Sequence, residues 1–122
     1  MVKYELIPEQ LLRENTCTSE NFFVPGTINS NDILAAHKKT YLDKLDNQEF
    51  SKKEVRAIGF PMSSRLIMRE KLIAQGTIEG ALSALKHGVA MNIAGGTHHA
   101  FSDRAEAFCI LNDHAIAAKH LI

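Results

Sequence analysis

The sequence has no net charge, almost no cysteine and no long hydrophobic run. Its 14 basic and 14 acidic residues cancel, so no overall field attracts nucleic acid or an anionic membrane surface. Cys17 and Cys109 are the only cysteines, which excludes a disulfide framework and favours a reducing compartment. The longest apolar stretches fall far short of the ~20 residues that a membrane-spanning helix needs. We therefore expect a cytoplasmic protein that binds neither nucleic acid directly nor membranes.

The chain has the length of one ordinary domain. With 122 residues, 45% of them hydrophobic, it can bury a core, and this composition excludes a disordered tail. The run from Ala115 to Ile122 is apolar and helix-like, and no glycine, proline or polar stop signal follows it. This pattern predicts that the chain is a fragment of a larger protein.

Capping signals and apolar spacing predict that most of the chain is helical. The predicted helix starts are Pro8, Ser30, Ser51, Ser63 or Ser64, and Asn112 or Asp113. Ser51 with Glu54 forms a capping box. The longest helical stretch starts at Ser63 or Ser64, and a second helical run follows Gly76 and ends at Gly88. Gly76 and Gly80 each cost roughly 1 kcal/mol against alanine in a helix interior, which predicts a helix break or close packing there.

The helix that starts at Ser30 is predicted to continue to Leu45 and to bury one face. That face consists of Ile33, Leu34, His37, Tyr41, Leu42 and Leu45. His37 is therefore expected to be a packing residue. His87 is expected at a helix C-terminus, where its charge suits the helix dipole, and His114 and His120 on helix surfaces.

Residues 89–94 form a short, mostly apolar run between glycines. Such a run is typical of a strand that is buried on both faces of a parallel sheet. A single strand cannot form a sheet. Either the chain is all-helical or the partner strands lie elsewhere, and the second alternative agrees with a fragment.

A site-like segment follows this run and consists of Gly95, Gly96, Thr97, His98 and His99. In open α/β sheets, ligands bind beyond the carboxyl ends of the strands. The two glycines allow a sharp backbone turn and a close approach of substrate. Histidine, with an ordinary pKa of ~6.5, can transfer protons near neutrality, so one ring can act as base and the other as acid or electrostatic stabiliser. Taken alone, the pair is equally compatible with an ordinary surface loop.

A metal site built from this chain alone is disfavoured. Its ligands would be His98, His99, Asp103 and His114. Adjacent side chains on an extended segment point in opposite directions, and zinc sites usually have compact ligand spacings. Cys109 is most simply interpreted as a small buried hydrophobic residue.

Residues 88–101, GVAMNIAGGTHHAF, closely resemble the histidine-pair motif of the histone deacetylase superfamily. Residues 103–113 are similar to the Gly-Phe-Cys and Asn-Asp segment of that family. The variant with Thr97, Phe101 and residues 103–104 most resembles the class IV branch and its bacterial relatives. Further similarity to this branch lies in residues 4–11, in His37 with Tyr41, and in residues 58–61. The resemblance therefore covers essentially the whole chain.

This resemblance implies an α/β fold class, namely a fragment of the three-layer α/β/α arginase–deacetylase fold that is mostly helical in this portion with few parallel strands. It implies a zinc-type hydrolase that removes acetyl groups from lysine or a related amine. His98 and His99 would handle the proton of the attacking water, and which of them is the base stays open. Phe108, with the Ala107 backbone and Cys109 beside it, would line the substrate channel. Asp113 would cap the next helix and be structural.

Two departures from the family pattern matter. The family usually has glycine where this chain has Ala105 and Ala107, and a methyl group at position 107 causes strain if that residue needs a positive φ. The metal ligands of the family include an Asp-x-His segment, which this sequence does not contain. Zinc, or another divalent metal, is thus expected in the full-length parent and not in this chain alone.

We therefore expect residues 1–122 to be the upstream part of a deacetylase domain, lacking its first strand and its metal-ligand region and inactive alone. Two alternatives stay open. The first is a non-catalytic helical interaction module that forms homo-oligomers through exposed apolar surface. The second is one part of a split enzyme that another polypeptide completes.

Overall fold

The structure is a computed structural model that describes residues 2–122. Six α-helices occur in these residues: α1 (Lys3–Arg13), α2 (Ser30–Ala36), α3 (Lys39–Asn47), α4 (Lys52–Ile58), α5 (Ser64–His87) and α6 (Asp113–Leu121). A single 3-10 turn, Ser19–Asn21, lies between α1 and α2. The long helix α5 is the centre of the fold, since α6 packs against both α5 and α2, and α3 also contacts α5.

Short polar side chains fix most of the helix starts, as the sequence predicts. Ser51 and Glu54 form the reciprocal capping box of α4, the Ser63 hydroxyl accepts from the Leu66 N–H, and Asn112 caps α6. The start of α2 differs by one residue, because the side chain of Asn29 and not that of Ser30 is the cap. Each such cap is worth about 1 kcal/mol to its helix.

Helix α1 begins earlier than predicted. It starts at Lys3, so Pro8 lies inside the helix and not in its first turn. None of the residues of α1 is buried, and the helix contacts α5 through the Arg69 guanidinium, which lies 5.0 Å from the centre of the Tyr4 ring. A cation over an aromatic face is a favourable contact.

The single helix predicted from Ser30 to Leu45 is in fact two helices. The chain leaves α2 at His37, and both His37 and Lys38 have extended backbone. This break lets the Lys38 N–H donate to the Ser102 carbonyl at 2.8 Å and turns the His37 ring towards α6. Most of the predicted apolar face is buried, with Leu34 as the exception.

Helix α5 continues through both of its glycines, so the predicted helix break does not occur. The alternative, close packing, does occur at Gly76, where a Cβ atom would lie 3.1 Å from the Asn92 side-chain nitrogen. Gly88 ends the helix with a positive φ of 92°. The core lies between α5, α6, α2 and α3, and its most completely buried side chains are Ile33, Leu45, Ile58, Ile78, Ile110, Leu111 and Ile116.

The strand predicted at residues 89–94 is wrong for this chain. No β-strand occurs within residues 2–122, whose only ladder-type contact is the isolated bridge between Glu106 and Cys109. The side chains of Val89 and Met91 are 75% and 87% exposed, whereas Ala90 and Asn92 are partly buried. The alternation of period two suits a strand, but a strand also needs a neighbouring backbone to receive its hydrogen bonds.

Candidate active site around the histidine turn

Residues 95–99 form a tight turn, here called the histidine turn, between residues 89–94 and the loop that leads to α6. The Gly95 N–H donates to the Asn92 carbonyl at 3.2 Å, and the His98 N–H donates to the Gly96 carbonyl at 3.0 Å. Gly96 has φ of +95°, a conformation that residues with a Cβ rarely adopt. The turn predicted from the two glycines is therefore present at this position.

The carboxylate of Asp113 holds the histidine turn in place. Its side chain is fully buried, and it accepts hydrogen bonds from the Gly96 and Thr97 amides, both at 2.9 Å. The Thr77 hydroxyl of α5 donates a third hydrogen bond, at 2.7 Å. Burial opposes ionisation of Asp113, but these hydrogen bonds outweigh it and hold the pKa of the carboxyl below its ordinary value. The cap of α6 is Asn112 and not Asp113, whose carboxylate instead organises the turn.

The two histidine rings lie side by side and are exposed. Their centroids are 4.3 Å apart with an angle of 37° between the planes, and the ring of His114 on α6 lies nearly parallel to His98 at 6.1 Å. His98 Nδ1 lies 2.9 Å from the Gly96 carbonyl oxygen. A carbonyl oxygen only accepts hydrogen bonds, so a neutral His98 ring in this contact carries its proton on Nδ1 and leaves Nε2 free to accept one.

Residues 106–109 form a second tight loop beside the turn. The Ala107 and Phe108 amides donate to the Ala57 and Ile58 carbonyls at 3.0 and 2.8 Å, so this loop satisfies the C-terminal carbonyls of α4. Both residues have positive φ, 48° at Ala107 and 66° at Phe108. Burial raises the pKa of the Cys109 thiol, which keeps this buried side chain protonated and unreactive near neutrality.

Phe108 packs on the loop that follows α4. Its ring meets Phe60 edge to face, with centroids 5.1 Å apart, and a Cβ atom on Gly59 would lie 2.5 Å from it. An open pocket between this loop and the histidine turn brings together five residues of the predicted site segments: Gly95, Gly96, Thr97, Phe108 and Cys109. The rings of His98 and His99 and the Ala107 side chain do not line that pocket.

A prediction for Ala107 follows from its backbone. An L-residue in the left-handed region costs roughly 1 kcal/mol more than glycine, so Ala107→Gly should raise the free energy of unfolding by about 0.5–1 kcal/mol. Ala105→Gly is the matched control, because Ala105 is buried and does not have positive φ, and it should destabilise. Urea unfolding of both variants measures the difference, and equal signs would contradict the assignment of strain to position 107.

Glu70 is a buried carboxylate that the sequence reading did not single out. Its side chain is only 2% exposed, and Oε1 accepts from Arg69 at 2.7 Å. Burial raises the pKa of Glu70, and the neighbouring guanidinium offsets only part of the effect. The signal was available, since Glu70 lies three residues from both Ile67 and Ile73 and so shares the buried face of α5.

His37 is a packing residue, as predicted. It is buried, and its Nε2 accepts from the backbone N–H of Asn112 at 3.0 Å. Burial lowers the pKa of His37, an effect that the nearby backbone of Phe101 and Ser102 opposes in part. The neighbouring Tyr41 hydroxyl donates to the Ile110 carbonyl at 2.8 Å. His37 therefore joins the end of α2, and Tyr41 joins α3, to the segment that leads into α6.

The lowered pKa of His37 predicts a loss of stability in acid. The unfolded chain takes up a proton near pH 6.5 while the folded chain resists it, so stability is complete above pH 6.5 and falls below it. One such group changes the free energy of unfolding by up to about 1.4 kcal/mol per pH unit. His37→Gln, which keeps an acceptor but cannot titrate, should flatten the decline measured by urea unfolding between about pH 6.5 and 5. The same change at exposed His87 should not, and equal slopes would contradict the prediction.

Three remaining observations concern metal ligands, membrane-spanning helices and the histidines of α6. In the described part of the chain, no group of three or more His, Cys, Asp or Glu side chains is arranged to hold a metal ion. None of the helices between residues 2 and 122 is long and apolar enough to cross a membrane. His114 and His120 lie on exposed faces of α6 as predicted, and the His120 Nδ1 contacts Asp32 of α2 at 2.8 Å.

The chain is similar to several known proteins. An uncharacterised protein of Picosynechococcus is 36% identical over 119 residues, which cover 98% of this chain and 40% of that protein. The acetoin utilization protein AcuC of Staphylococcus aureus is 27% identical over 130 residues, covering 98% of this chain and 33% of its own. The crystal structure of an HDAC homologue from Aquifex aeolicus matches 88% of this chain and 31% of its own, with a TM-score of 0.73 and 26% identity.

The fold class predicted from the sequence is confirmed by that structural match: this portion has the arginase–deacetylase fold and is mostly helical. The chain spans well under half the length of the relatives it matches. The histone deacetylase domain matches it from residue 1 to residue 122. The chain belongs to the histone deacetylase family.

Proposed function

We propose that this chain supplies the histidine pair of a metal-dependent deacetylase that hydrolyses acetyl-lysine or a related acetylated amine. The observation that carries the proposal is the histidine turn itself. Two adjacent imidazoles, 4.3 Å apart, are held by a buried carboxylate on a turn in a chain of the histone deacetylase family. Positioned histidines of this kind suit general acid–base catalysis.

His98 is suited to the role of proton acceptor. The contact of its Nδ1 with the Gly96 carbonyl leaves the lone pair of a neutral ring on Nε2, where it can accept a proton. His99 lies close enough to stabilise the charge that His98 gains. Each ring thus has a separate task. The base takes a proton from the attacking water, and donation of a proton to the leaving amine restores the starting state of the pair.

Phe108 and Cys109 are proposed as walls of the channel for the acyl-lysine stem, with the Ala107 backbone behind them. The pocket beside the histidine turn contacts both Phe108 and Cys109. The Phe108 ring packs against Phe60 and Gly59 and is 59% exposed. It therefore offers an aromatic wall that can bury the apolar surface of a methylene stem with little loss of side-chain freedom.

The family resemblance implies zinc or another divalent metal in the complete enzyme. Residues 2–122 do not by themselves fit such a site, since no cluster of three or more suitable side chains occurs in them. We therefore propose that residues 1–122 are the upstream part of a deacetylase domain and that the metal ligands come from polypeptide outside them. Cytoplasmic location stays a prediction.

The test compares the 122-residue chain with the protein made from its complete coding region. The complete protein, loaded with zinc, should convert an acetyl-lysine peptide to free lysine and acetate in equal amounts. The 122-residue chain should not. Turnover by the short chain at enzyme-like rates would refute the partial-domain proposal, and a folded, zinc-loaded complete protein that releases no acetate would refute the deacetylase proposal.

The interaction-module alternative rests on one observation of its own. Val89 and Met91 are exposed apolar residues on a segment without regular secondary structure, and such an unpaired backbone can receive a strand from another chain. Sedimentation of the 122-residue chain tests it. A concentration-dependent dimer would favour association of this chain with itself, and a monomer up to high concentration would count against it.

A further inference from the structure

A row of three side chains connects α5 to the histidine turn. It begins at Asn92, whose side-chain nitrogen donates to the Thr77 hydroxyl at 2.8 Å and to the Ile73 carbonyl at 2.8 Å. Thr77 in turn contacts the Asp113 carboxylate at 2.7 Å. Asp113 accepts from the Gly96 and Thr97 amides, so the row ends on the backbone that carries His98 and His99.

The donor and the acceptor of each hydrogen bond in this row can be assigned. Asn92 must donate with its nitrogen, because its Oδ1 accepts from the Ala94 N–H at 3.2 Å. Since Asn92 donates to Thr77, the one hydroxyl proton of Thr77 is free for an acceptor. Of its two acceptors, the Asp113 carboxylate at 2.7 Å is nearer than the Ile73 carbonyl at 3.3 Å, and a charged acceptor makes the stronger hydrogen bond.

Two glycines leave space for this row. A Cβ atom on Gly95 would lie 2.9 Å from the Asp113 carboxylate and 3.1 Å from Asn92. A Cβ atom on Gly76, in the middle of α5, would lie 3.1 Å from the Asn92 side-chain nitrogen. Glycine at these two positions thus lets the polar side chains approach α5 and the turn closely.

We propose that Thr77 and Asn92 are positioning residues for the histidine pair. They act through Asp113: Thr77 fixes the carboxylate, Asn92 fixes Thr77, and the carboxylate fixes the amides before His98. The inference rests on the proposed function for its catalytic meaning, whereas the hydrogen-bonded row itself can be tested in the 122-residue chain. Neither Thr77 nor Asn92 touches the histidine rings, so each acts on the rings only through Asp113 and the turn backbone.

The structural test is NMR on the 122-residue chain. In the unmodified chain, the Gly96 and Thr97 amide shifts should move with the acid titration of the Asp113 carboxyl. In Thr77→Val, which keeps the shape and loses the hydroxyl, hydrogen exchange at these two amides should speed up about tenfold and the His98 and His99 ring signals should shift. Thr77→Ser should restore both readouts, and Thr40→Val, a change on the exposed surface of α3, should leave them unchanged.

The kinetic test uses the complete protein. There Thr77→Val should lower kcat roughly tenfold with little change in KM, and Thr77→Ser should restore it. Amides that ignore the Asp113 titration, or rings and amides unaffected in a folded Thr77→Val chain, would overturn the inference, and so would an unchanged kcat. If Thr77→Val does not fold, Thr77→Ala, which also loses the hydroxyl, is measured in its place with the same amide and ring readouts. An inactive complete protein with a positive NMR result would refute the proposed function and leave the row supported.

Discussion

Replacing Asp113 with alanine should lower the free energy of unfolding by about 3–5 kcal/mol at pH 7. The variant leaves the Gly96 amide, the Thr97 amide and the Thr77 hydroxyl without the acceptor that they share. Each buried donor that loses its partner costs about 1–3 kcal/mol. Urea unfolding followed by circular dichroism measures the change. The typical free energy of unfolding of a whole protein is only about 5–15 kcal/mol, so this is the most damaging single substitution that we predict.

Asp113→Asn is the companion variant, because it keeps the shape and one acceptor oxygen. We expect it to cost about half as much as alanine, since its amide nitrogen faces donors and accepts from none of them. Asp43→Ala is the matched control: Asp43 is exposed and pairs only with Lys39 on its own helix, so it should change stability by less than about 0.5 kcal/mol. If all three variants were equally stable, the histidine turn would not depend on this carboxylate.

The pH dependence of the Asp113 effect has a definite sign. Because the pKa of the folded carboxyl is lowered from its ordinary 3.8, its contribution is fully present above about pH 4 and is lost as pH falls through the folded-state pKa. The difference between the unmodified chain and Asp113→Asn should therefore be constant between about pH 5 and 7 and shrink in stronger acid. The pH range in which Asp113 loses its contribution lies below the range in which protonation of His37 lowers stability, so the effects of the two residues can be measured separately.

The second large effect concerns turnover. In the complete, metal-loaded protein, His98→Ala and His99→Ala should each lower kcat by about 10²–10⁴-fold, the usual contribution of a general acid or base. KM should change little if the rings act on the proton and not on substrate binding. His87→Ala, at the exposed C-terminus of α5, is the matched control and should keep full activity.

The two single variants also separate the roles of the rings. If His98 is the base, His98→Ala should remove the acid limb of the pH–rate profile, and His99→Ala should retain it with a lower plateau. The opposite pattern would exchange the two assignments. Equal activity of the unmodified protein and both variants would contradict a catalytic role for the histidine turn.

Local signals in the sequence predicted local structure well. Ser51 with Glu54, Ser63 and Asn112 cap the helices that they precede, because a cap depends only on neighbours within one helical turn. A positive φ at Ala107 was named only as a condition for strain, on the ground that the family has glycine there, and the backbone meets that condition. These features need no knowledge of the rest of the fold.

Features that depend on distant partners were not predictable in the same way. The separation of α2 from α3 at His37 depends on a hydrogen bond with Asn112, 75 positions away in sequence. A strand pattern at residues 89–94 does not form a strand without a neighbouring backbone. The role of Asp113 likewise depends on Thr77, which is 36 positions away. In each case a tertiary contact decides between local structures of similar propensity.

The histidine pair shows how much the sequence says about the site. The residues themselves indicated a glycine turn with two imidazoles, and the family resemblance supplied their chemistry. The buried carboxylate that holds the turn and the row from Asn92 through Thr77 emerge only when α5 and α6 are packed together. Sequence reasoning thus named the candidate reacting groups, and the structure adds the contacts that hold their turn.

The most direct measurement is acetate release from an acetyl-lysine peptide by the complete, zinc-loaded protein and by its His98→Ala/His99→Ala double variant. We predict that the unmodified protein releases one acetate for each lysine that it frees, and that the double variant, folded and equally loaded with metal, releases acetate at least about 10²-fold more slowly. Equal rates for the two proteins, or no acetate from either, would contradict the assignment of this chain as the histidine-bearing part of a deacetylase.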